Sequence, residues 1–487
     1  MKLSVLIQNL NEKQILSPSD PEISGLNYDS RKIKPGDFFA AIKGTAIDGH
    51  SFLKKAVQAG ASALLVETPL ENCPIPQIVV SNTRKALAEC ADAFYLHPTK
   101  KLKLIGVTGT NGKTTTTYLC DSIFSQAGFK TGIIGTIQYK IGNRIQECKN
   151  TTPESLDLYQ MFSEMGSSGV GACSMEVSSH ALDQGRIHGL LFDAVVFTNL
   201  TQDHLDYHKT MENYFEAKSK LFIEIRLDKN PKAVINSDDP YGQKLLQKIK
   251  IPVITYGINS GDVRAENISL EWSGVSFTVH SPAENFRVNL KLSGKFNVYN
   301  ALAAIAAGIA LNIPIKTIQK GIESIGQVRG RFELIQEGQD FSVIVDYAHT
   351  PDGLENLLKS AKELTRGKLI AVFGCGGDRD RGKRPLMGKI AENYGDILVI
   401  TSDNPRTEDP LSIIQEIEKG ITQKHEAEPD RKKAIELALT LAKPGDCVVI
   451  AGKGHETYQI FKDKTIHFDD REVVRKFFEK HAVPQSS

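Results

Sequence analysis

The sequence predicts an α/β protein of three domains, with α-helices packed on largely parallel β-sheets. Its 487 residues exceed what one hydrophobic core usually supports. From residue 102 onward, strand-like runs rich in Val and Ile alternate with helical stretches, which is typical of βαβ units. The same alternation restarts after Gly330. We therefore divide the chain into domains at residues 1–99, 100–330 and 331–487.

The first hundred residues predict a small α/β domain. Apolar runs at 37–42, 63–66 and 77–80 are broken by Gly and Pro, and a helical stretch follows at 83–95. The segment 97–101 contains Pro and two lysines, which is typical of a linker.

Each of the two later domains contains four predicted parallel strands. In the second domain they lie at 102–107, 131–135, 193–198 and 232–235, and a β-rich segment at 252–293 precedes an Ala-rich helix at 301–311. In the third domain they lie at 342–346, 368–373, 396–401 and 446–451. Helical stretches separate these strands, so both sheets should be covered by helices.

Composition favours a cytoplasmic protein that acts on small molecules. The formal net charge is +1, which disfavours nucleic acid and membrane surfaces as partners. The N-terminal residues lack an apolar segment of signal-peptide length, and no apolar run approaches the roughly 18–20 residues of a membrane span. Seven cysteines occur without a CxxC pair, which suits reduced thiols. We expect a monomer.

The glycine-rich segment Gly106–Thr117 is the strongest chemical signal in the chain. It lies between an apolar run and a helix-like stretch. Backbone N–H groups in such a turn surround phosphate oxygens, Lys113 can reach the β- and γ-phosphates, and the Thr114 hydroxyl can bind Mg²⁺. Val107 stands where the general P-loop pattern has its first glycine, so the segment predicts a subclass of nucleoside triphosphate sites.

Two polar clusters follow later strands of the same domain. Glu176 ends one apolar run and His204 follows another. Loops at the carboxyl ends of parallel strands converge on a ligand, and these side chains supply oxygen and nitrogen ligands for Mg²⁺ or Mn²⁺. Taken singly, Asp203 could be a helix cap with surface histidines beside it, and Lys218 could be a solvated helix lysine.

Five motifs together resemble the Mur ligases, which are ATP-dependent amide-forming enzymes of peptidoglycan precursor synthesis. The motifs are Thr108–Thr115, Asn150–Pro153, Glu176–His180, Asp203–His208 and Asp346–Pro351. The resemblance extends in order from Tyr28 to Glu456 and is strongest to the branch that makes the UDP-N-acetylmuramoyl tripeptide. It implies an N-terminal domain for the uridine nucleotide, a central ATPase domain and a C-terminal Rossmann-like domain for the incoming amino acid.

The resemblance also implies residue roles. ATP would contact Gly109, Thr110, Asn111, Gly112, Lys113, Thr114, Thr115, Asn297, Arg331 and Asp346. The UDP-N-acetylmuramoyl dipeptide would contact Tyr28, Ser30, Thr45, Ala46, Ile47, Asn150, Thr151, Thr152, Ser178, Gln184 and Arg186. Asn297 could equally be a helix N-cap.

Magnesium and the expected catalytic residues follow from the same resemblance. Lys218 falls on the lysine that the family carbamylates, a change that converts a cation into an anionic metal ligand. Thr114, Glu176, His204 and the Lys218 carbamate would bind Mg²⁺. The expected catalytic residues are Lys113, Glu176, His204 and Lys218, and Lys113 would face the phosphates.

Four polar clusters of the third domain predict one amino-acid site. They lie at 346–349, 374–379, 403–406 and 452–456, each after an apolar strand, so all four should face one crevice. Arginines bind carboxylates bidentately and acidic side chains accept from ammonium groups, so a zwitterion is the natural ligand. The site residues expected here are Arg379, Asp403, Asn404, Pro405, Arg406, Gly452 and Glu456.

The tetrapeptide Asp403–Arg406 resembles the motif of family members that add meso-2,6-diaminopimelate. Lysine lacks the distal carboxylate and would leave the Arg406 charge unpaired, which hydrogen-bonding sites penalise strongly. A type I turn with Pro405 at its second position is the simpler interpretation, and the two are compatible.

The implied reaction joins diaminopimelate to the D-glutamyl γ-carboxylate of UDP-N-acetylmuramoyl-L-alanyl-D-glutamate through an acyl phosphate. His204 and His349 are both candidates for the base that deprotonates the incoming amine. A folylpolyglutamate synthetase-like enzyme is an alternative, but the first hundred residues and the 403–406 loop argue against it. A P-loop switch that hydrolyses its nucleotide to move a domain is another, and it leaves the clusters at 403–406 and 452–456 without a role.

Overall fold

The structure is a computed structural model of the chain, and it describes residues 1–44 and 47–481. In these ranges the strands form sheets of five, eleven and six strands and a two-stranded ribbon. The α/β fold class is thereby confirmed. Within the same ranges, no helix has both the length and the apolar character that a membrane crossing needs.

The five-stranded sheet belongs to the N-terminal part of the chain. Its order is β1-β5-β4-β3-β2, and only the edge strand β1 runs antiparallel to its neighbour. The elements are β1 Gln14–Leu16, β2 Gly25–Asn27, β3 Asp37–Ala40, β4 Ala63–Val66 and β5 Gln77–Val79, with α1 Leu3–Leu6, α2 Leu53–Gln58 and α3 Thr83–Phe94. Short 3-10 helices lie at Gly49–Phe52 and Pro98–Lys100.

The eleven-stranded sheet carries the glycine-rich segment. Its order is β16-β15-β14-β13-β12-β11-β6-β10-β7-β8-β9, with parallel pairing from β14 to β7 and antiparallel strands at both ends. Its strands are β6 Lys103–Thr108, β7 Thr131–Ile134, β8 Gln138–Ile141, β9 Arg144–Glu147, β10 Ala172–Glu176, β11 Ala194–Phe197, β12 Lys232–Asn236, β13 Val253–Gly257, β14 Val263–Glu271, β15 Gly274–His280 and β16 Phe286–Leu290.

Helices cover both faces of this sheet. They are α4 Lys113–Gln126, α5 Ser155–Ser167, α6 Ser179–Asp183, α7 Leu205–His208, α8 Met211–Ile223, α9 Pro240–Leu246, α10 Lys295–Ala310 and α11 Ile315–Ser324. The parallel strands β10 and β11 are buried along their whole length, as expected for strands with helices on both faces.

The six-stranded sheet belongs to the C-terminal part and has the order β17-β18-β22-β19-β20-β21, parallel except for β17. Its strands and the ribbon strands β23 and β24 are β17 Glu333–Ile335, β18 Ser342–Asp346, β19 Leu369–Phe373, β20 Ile397–Ile400, β21 Glu426–Ala427, β22 Cys447–Ala451, β23 Tyr458–Ile460 and β24 Thr465–His467. The helices are α12 Pro351–Leu364, α13 Lys383–Tyr394, α14 Pro410–Glu418, α15 Arg431–Leu441 and α16 Asp470–His481.

The C-terminal sheet meets the central one through an aromatic contact. Phe332 begins the C-terminal part and its ring is 6.5 Å from Trp272 and 5.5 Å from Phe296, both of the central part. Phe332 has a φ of 46°, a left-handed conformation that bulky residues rarely adopt. The N-terminal and central sheets, in contrast, share one continuous apolar core.

The predicted parallel strands agree with the structure to within about two residues at each end. Among the described strands, the sequence analysis missed the short strands β1, β2, β17 and β21, the hairpin β8–β9 and the ribbon β23–β24. The Ala-rich helix begins at Lys295 and not at Ala301. The domain boundaries at 99/100 and 330/331 stay a prediction.

Candidate active site

The glycine-rich segment forms a tight loop between β6 and α4. Gly109 has a φ of 147° and Gly112 a φ of 84°. A Cβ on Gly109 would lie 1.8 Å from Thr198 Oγ1, and one on Gly112 would lie 2.4 Å from Asn300 Oδ1. Both positions therefore require glycine. In the described part of the chain no side chain caps α4, so its N-terminal N–H groups are available to an anion.

Two buried lysines share one carbonyl of this loop. Lys113 Nζ donates to Gly109 O at 2.9 Å and to Thr110 O at 2.7 Å, and Lys218 Nζ donates to Gly109 O at 2.8 Å. Burial lowers the pKa of Lys113. Burial, aided by the neighbouring Lys113 charge, lowers the pKa of Lys218 well below its usual range. Burial therefore favours the neutral form of the Lys218 amine over the ammonium.

Glu176 presents a fixed carboxylate beside the loop. Its Oε1 accepts from Thr114 Oγ1 at 3.0 Å and from Thr136 N at 2.8 Å, and its Oε2 accepts from Thr136 Oγ1 at 3.0 Å. The side chain is almost fully buried at the end of β10. A buried carboxylate next to a P-loop threonine is an arrangement that suits a magnesium ion.

His204 lies on another side of the same cavity. Its ring centre is 4.9 Å from that of His180, and burial lowers the His204 pKa to about 4. A neutral imidazole can bind a metal. Thr114, Glu176 and His204 fit Mg²⁺ in ligand type, but Glu176 is the only carboxylate in this set. No group of three or more His, Cys, Asp or Glu side chains in residues 1–44 and 47–481 is placed to hold a metal.

The C-terminal part closes the cavity, whose volume is about 600 Å³. Arg331 Nη2 donates to Thr114 Oγ1 at 2.9 Å, and its guanidinium lies 4.8 Å from the Tyr347 ring. Asp352 Oδ2 accepts from Asn111 Nδ2 at 2.5 Å and from Thr201 Oγ1 at 3.1 Å. Two of the loop's own residues, Asn111 and Thr114, are thus held by side chains of the C-terminal part.

Asp346 also reaches the cavity, but its carboxylate is engaged by the backbone. Its oxygens accept from Phe332 N at 2.6 Å and from Ala348 N at 2.7 Å. Burial raises the pKa of Asp346. The carboxylate therefore fixes the turn that carries Arg331 as well as lining the cavity.

Helix α10 places Asn300, and not Asn297, in the cavity wall. Asn297 Nδ2 donates to Ser293 O at 2.7 Å and its Oδ1 accepts from Asn300 Nδ2 at 2.9 Å. Asn297 thus orients Asn300 from one helical turn behind it. The sequence gives a signal for this, because residues three apart share a helix face.

The residues predicted for the muramoyl nucleotide form one connected group and several separate positions. Thr152 Oγ1 donates to Glu176 O at 2.9 Å and accepts from Ser178 N at 3.0 Å, while Arg186 donates to Thr152 O at 2.9 Å and to Gln184 Oε1 at 2.8 Å. Thr151 and Ser178 line the cavity itself. This group of residues therefore adjoins the expected magnesium site at Glu176.

The remaining positions of that prediction lie toward the N-terminal sheet or at the surface. Tyr28 donates to Asp157 at 2.6 Å and Ser30 is buried. Ile47 and Asn150 are exposed. Thr45 and Ala46 lie outside the described residues.

Sequence reasoning missed Arg84 of α3. It pairs with Glu154 at 2.5 Å, and Glu154 also pairs with Arg186 at 3.1 Å. This chain of charges connects the N-terminal sheet to the dipeptide group. A lone arginine in an amphipathic helix gives no signal in the sequence.

The loops predicted to hold an amino acid do converge in the C-terminal part. Asn404 Nδ2 donates to Glu456 Oε2 at 2.9 Å, and Gly452 lies against Asp403. Arg406, with a φ of 53°, donates from Nη1 to Gly377 O at 2.8 Å. Asn404 and Pro405 contact the 374–379 loop through Gly377. These side chains form one cluster with mixed charge, which is the expected amino-acid pocket.

Arg379 lies at the rim of this pocket. It is exposed, and its guanidinium donates to Asp378 O at 3.0 Å. Tyr347 connects the pocket to the cavity, since it lines the cavity and its ring lies 4.8 Å from that of His455, the neighbour of Glu456. One cavity thus contains the phosphate loop, the expected magnesium ligands and the residues expected to bind the muramoyl dipeptide. The amino-acid pocket adjoins this cavity.

Comparison with known proteins agrees with this geometry. Family models match residues 22–95 (Mur ligase family, catalytic domain), 107–308 (Mur ligase middle domain) and 330–454 (Mur ligase, glutamate ligase domain). The chain belongs to the Mur ligase family.

Two curated relatives match almost end to end. UDP-N-acetylmuramoyl-L-alanyl-D-glutamate--2,6-diaminopimelate ligase of Bacillus cereus is 49% identical over 482 residues, 98% of each chain. The enzyme of the same name from Clostridium tetani is 47% identical and covers 99% of this chain and 100% of its own. A solved structure of a ligase of that name is 33% identical, has a TM-score of 0.69, and covers 95% of this chain and 96% of its own.

Proposed function

We propose that this chain is an ATP-dependent ligase that adds meso-2,6-diaminopimelate to the D-glutamyl γ-carboxylate of UDP-N-acetylmuramoyl-L-alanyl-D-glutamate. The observation that carries the proposal is the mixed-charge pocket of Asn404, Arg406 and Glu456 beside a phosphate-binding cavity. The end-to-end similarity to ligases named for this reaction supports it. The product would be a peptidoglycan precursor, and the use of ATP as co-substrate supports a cytoplasmic reaction.

The three parts of the chain would divide the substrates. Residues 1–99 would bind the uridine nucleotide, residues 100–330 ATP, and residues 331–487 the amino acid. ATP would lie in the cavity, with its phosphates on the loop 109–115 and its adenine toward Asn300 of α10. The muramoyl dipeptide would approach the cavity past Thr151, Thr152 and Ser178.

In the first step, a γ-carboxylate oxygen of the dipeptide attacks the γ-phosphorus of ATP, and the bond from that phosphorus to the bridging oxygen of ADP breaks. Lys113, once released from the loop carbonyls, and Arg331 would stabilise the negative charge that develops on the transferred group. When bound, Mg²⁺ supplies further charge stabilisation, held by Thr114, Glu176, His204 and the carbamate of Lys218. An acyl phosphate and ADP result.

In the second step, the free amine of diaminopimelate attacks the acyl carbon, and the carbon–oxygen bond to phosphate breaks. The amide forms and the amine's proton leaves with a base. His349 suits that role, because its Nδ1 donates to Tyr347 O at 2.8 Å and leaves Nε2 as the acceptor. Burial and the neighbouring Lys383 charge lower the His349 pKa, so the ring is neutral and able to take a proton.

Phosphate release tests the proposal directly. The protein is incubated with ATP, Mg²⁺ and the UDP-N-acetylmuramoyl dipeptide, with either meso-diaminopimelate or L-lysine. We expect release with diaminopimelate and little with lysine. Release that needs no muramoyl nucleotide would favour a P-loop switch, and release with lysine alone would contradict the specificity.

A matched pair of variants tests whether Arg406 determines the specificity for diaminopimelate. Arg406→Ala should impair use of diaminopimelate while leaving ATP binding intact. Lys433→Ala removes an exposed positive charge of α15 outside the pocket and serves as the control. Equal effects of the two changes would contradict a specific role for Arg406.

A further inference from the structure

Three buried cations lie beneath the amino-acid pocket. They are Arg384, Arg431 and Lys453, each with at most 1% of its surface exposed. A buried charge is costly unless it is paired, so each must have a partner that the fold needs. The three cations differ in whether their partners belong to the amino-acid pocket.

The two arginines are paired with groups outside the pocket. Arg384 pairs with Glu408 and Glu416, at 2.9 and 2.7 Å. Arg431 forms a bidentate pair with Asp470 at 2.7 Å and donates to backbone carbonyls below the loops. Their role is to hold loops together.

Lys453 is different, because its partners are pocket side chains. Its Nζ donates to Glu456 Oε2 at 2.9 Å and to Asn404 Oδ1 at 3.1 Å. Asp403 Oδ1 lies 3.8 Å from the same nitrogen. The Tyr458 ring, 5.5 Å away, covers the ammonium.

These contacts fix the orientation of the Asn404 amide. Its Oδ1 accepts from both Lys453 and Ile460 N, the latter at 3.0 Å, so its Nδ2 must face Glu456. Without the lysine, one of the two donors that define the oxygen side is lost. Lys453 therefore sets which hydrogen-bonding atoms the pocket shows to a ligand.

Lys453 also determines which oxygen of Glu456 is free. Oε2 already accepts from Lys453 and Asn404, and no contact in the described residues engages Oε1. The charge of Lys453 offsets one of two neighbouring carboxylates, Asp403 and Glu456. Glu456 Oε1 and the Asp403 carboxylate are therefore left for an ammonium group, while Arg406 supplies a guanidinium for a carboxylate.

We infer that Lys453 is a positioning residue for the incoming diamino acid, which it serves by orienting Asn404 and Glu456. The inference rests on the proposed function. It predicts that loss of Lys453 weakens binding of diaminopimelate without affecting the two nucleotide substrates.

The test begins with the wild-type protein. Diaminopimelate-dependent phosphate release must be present, and its absence would overturn the proposed function and not this inference. Lys453→Met removes the charge at similar length, and Lys453→Gln keeps hydrogen bonding and is used if the Met variant fails to fold. Lys433→Met is the control.

The expected result is a KM for diaminopimelate raised at least about tenfold, because hydrogen bonds to charged groups are lost. The KM values for ATP and for the muramoyl nucleotide should stay within about twofold of wild type. Unchanged KM for diaminopimelate in both variants would overturn the inference, as would a parallel rise in all three KM values.

A double-mutant cycle distinguishes positioning from a general structural effect. In a Glu456→Gln background, Lys453→Met should add much less to the KM for diaminopimelate than it adds in wild type, because its partner has already changed. Additive effects in the cycle would show that Lys453 does not act through Glu456 and would overturn the inference.

Discussion

Arg331 Nη2 donates a hydrogen bond of 2.9 Å to Oγ1 of Thr114, and the two residues are 217 positions apart in the chain. The bond joins the C-terminal part of the molecule to the first turn of the P-loop helix. Thr114 Oγ1 also donates to Glu176, so the arginine is the third member of a polar chain beside the loop that we propose binds the γ-phosphate. Catalysis should therefore depend on a residue that lies outside the central sheet.

Replacing Arg331 by Met should reduce kcat by about 100-fold, because one cation facing the transferred phosphoryl group is lost. Steady-state phosphate release measures the change. Arg329→Met is a close control, since Arg329 has half of its side chain exposed and pairs with Asp469. Similar losses of kcat in both variants would indicate a general effect of positive charge in the segment 329–331.

Trp272 should report movement of the C-terminal part. It is the only tryptophan of the chain, and its ring is stacked near Phe332, the residue where the two parts meet. We expect intrinsic fluorescence to change when ATP and the muramoyl nucleotide are added together. Trp272→Phe should abolish the signal with activity retained, and a wild-type signal unmoved by both ligands would contradict domain movement at this contact.

Lys218 should make activity depend on dissolved carbon dioxide. Burial lowers the Lys218 pKa and so favours the neutral amine, which is the form that reacts with CO₂, and the resulting carbamate would supply the missing anionic metal ligand. In CO₂-free buffer, activity should fall at least about tenfold and return with bicarbonate. Lys220→Met, which alters a partly exposed lysine two residues on, should keep the response, and Lys218→Met should lose activity at every bicarbonate concentration.

His455 should couple stability to pH. Burial lowers its pKa to about 3, aided by the charges of Arg331, Arg329 and Arg471, so the folded protein holds the ring neutral where the unfolded chain protonates it. Stability is therefore complete above the unfolded pKa of about 6.5 and is lost as pH falls toward 3, by up to about 1.4 kcal/mol per pH unit.

His455→Gln removes this titration. Urea unfolding at pH 7 and pH 5 should show a smaller loss of stability in the variant than in wild type. Other titrating groups contribute equally to both proteins. Subtracting the variant's loss of unfolding free energy from that of wild type therefore leaves the contribution of His455. Parallel losses would contradict a depressed pKa at His455.

The parallel strands were predictable because buried apolar runs such as Ala194–Phe197 stand out between polar segments. The ribbon β23–β24 was not, since its residues are mostly polar and β24 is exposed. It contacts the 403–406 loop because Arg406 N donates to Ile460 O and Ile460 N donates to Asn404 Oδ1, and such contacts leave no periodic signal in the sequence.

The residues of the candidate site were also predictable only where they leave a pattern in the sequence. Glycines and the residues flanking them mark the phosphate loop in the sequence, because only glycine fits at Gly109 and Gly112. Lys453 is a charged residue between two glycines, a pattern typical of exposed loops, and only the three-dimensional packing shows it to be buried. Asn300 was within reach of the sequence, since it lies on the same face of α10 as Asn297.

The long chain separation of Arg331 and Thr114 bears on how the protein is made. Ribosomes release the phosphate loop well before Arg331 and before strand β18, which ends at Asp346. A growing chain can thus acquire a nucleotide pocket early while lacking the cation that promotes phosphoryl transfer. We therefore expect phosphoryl transfer only after the last third of the polypeptide has been made, so that incomplete chains would not consume ATP.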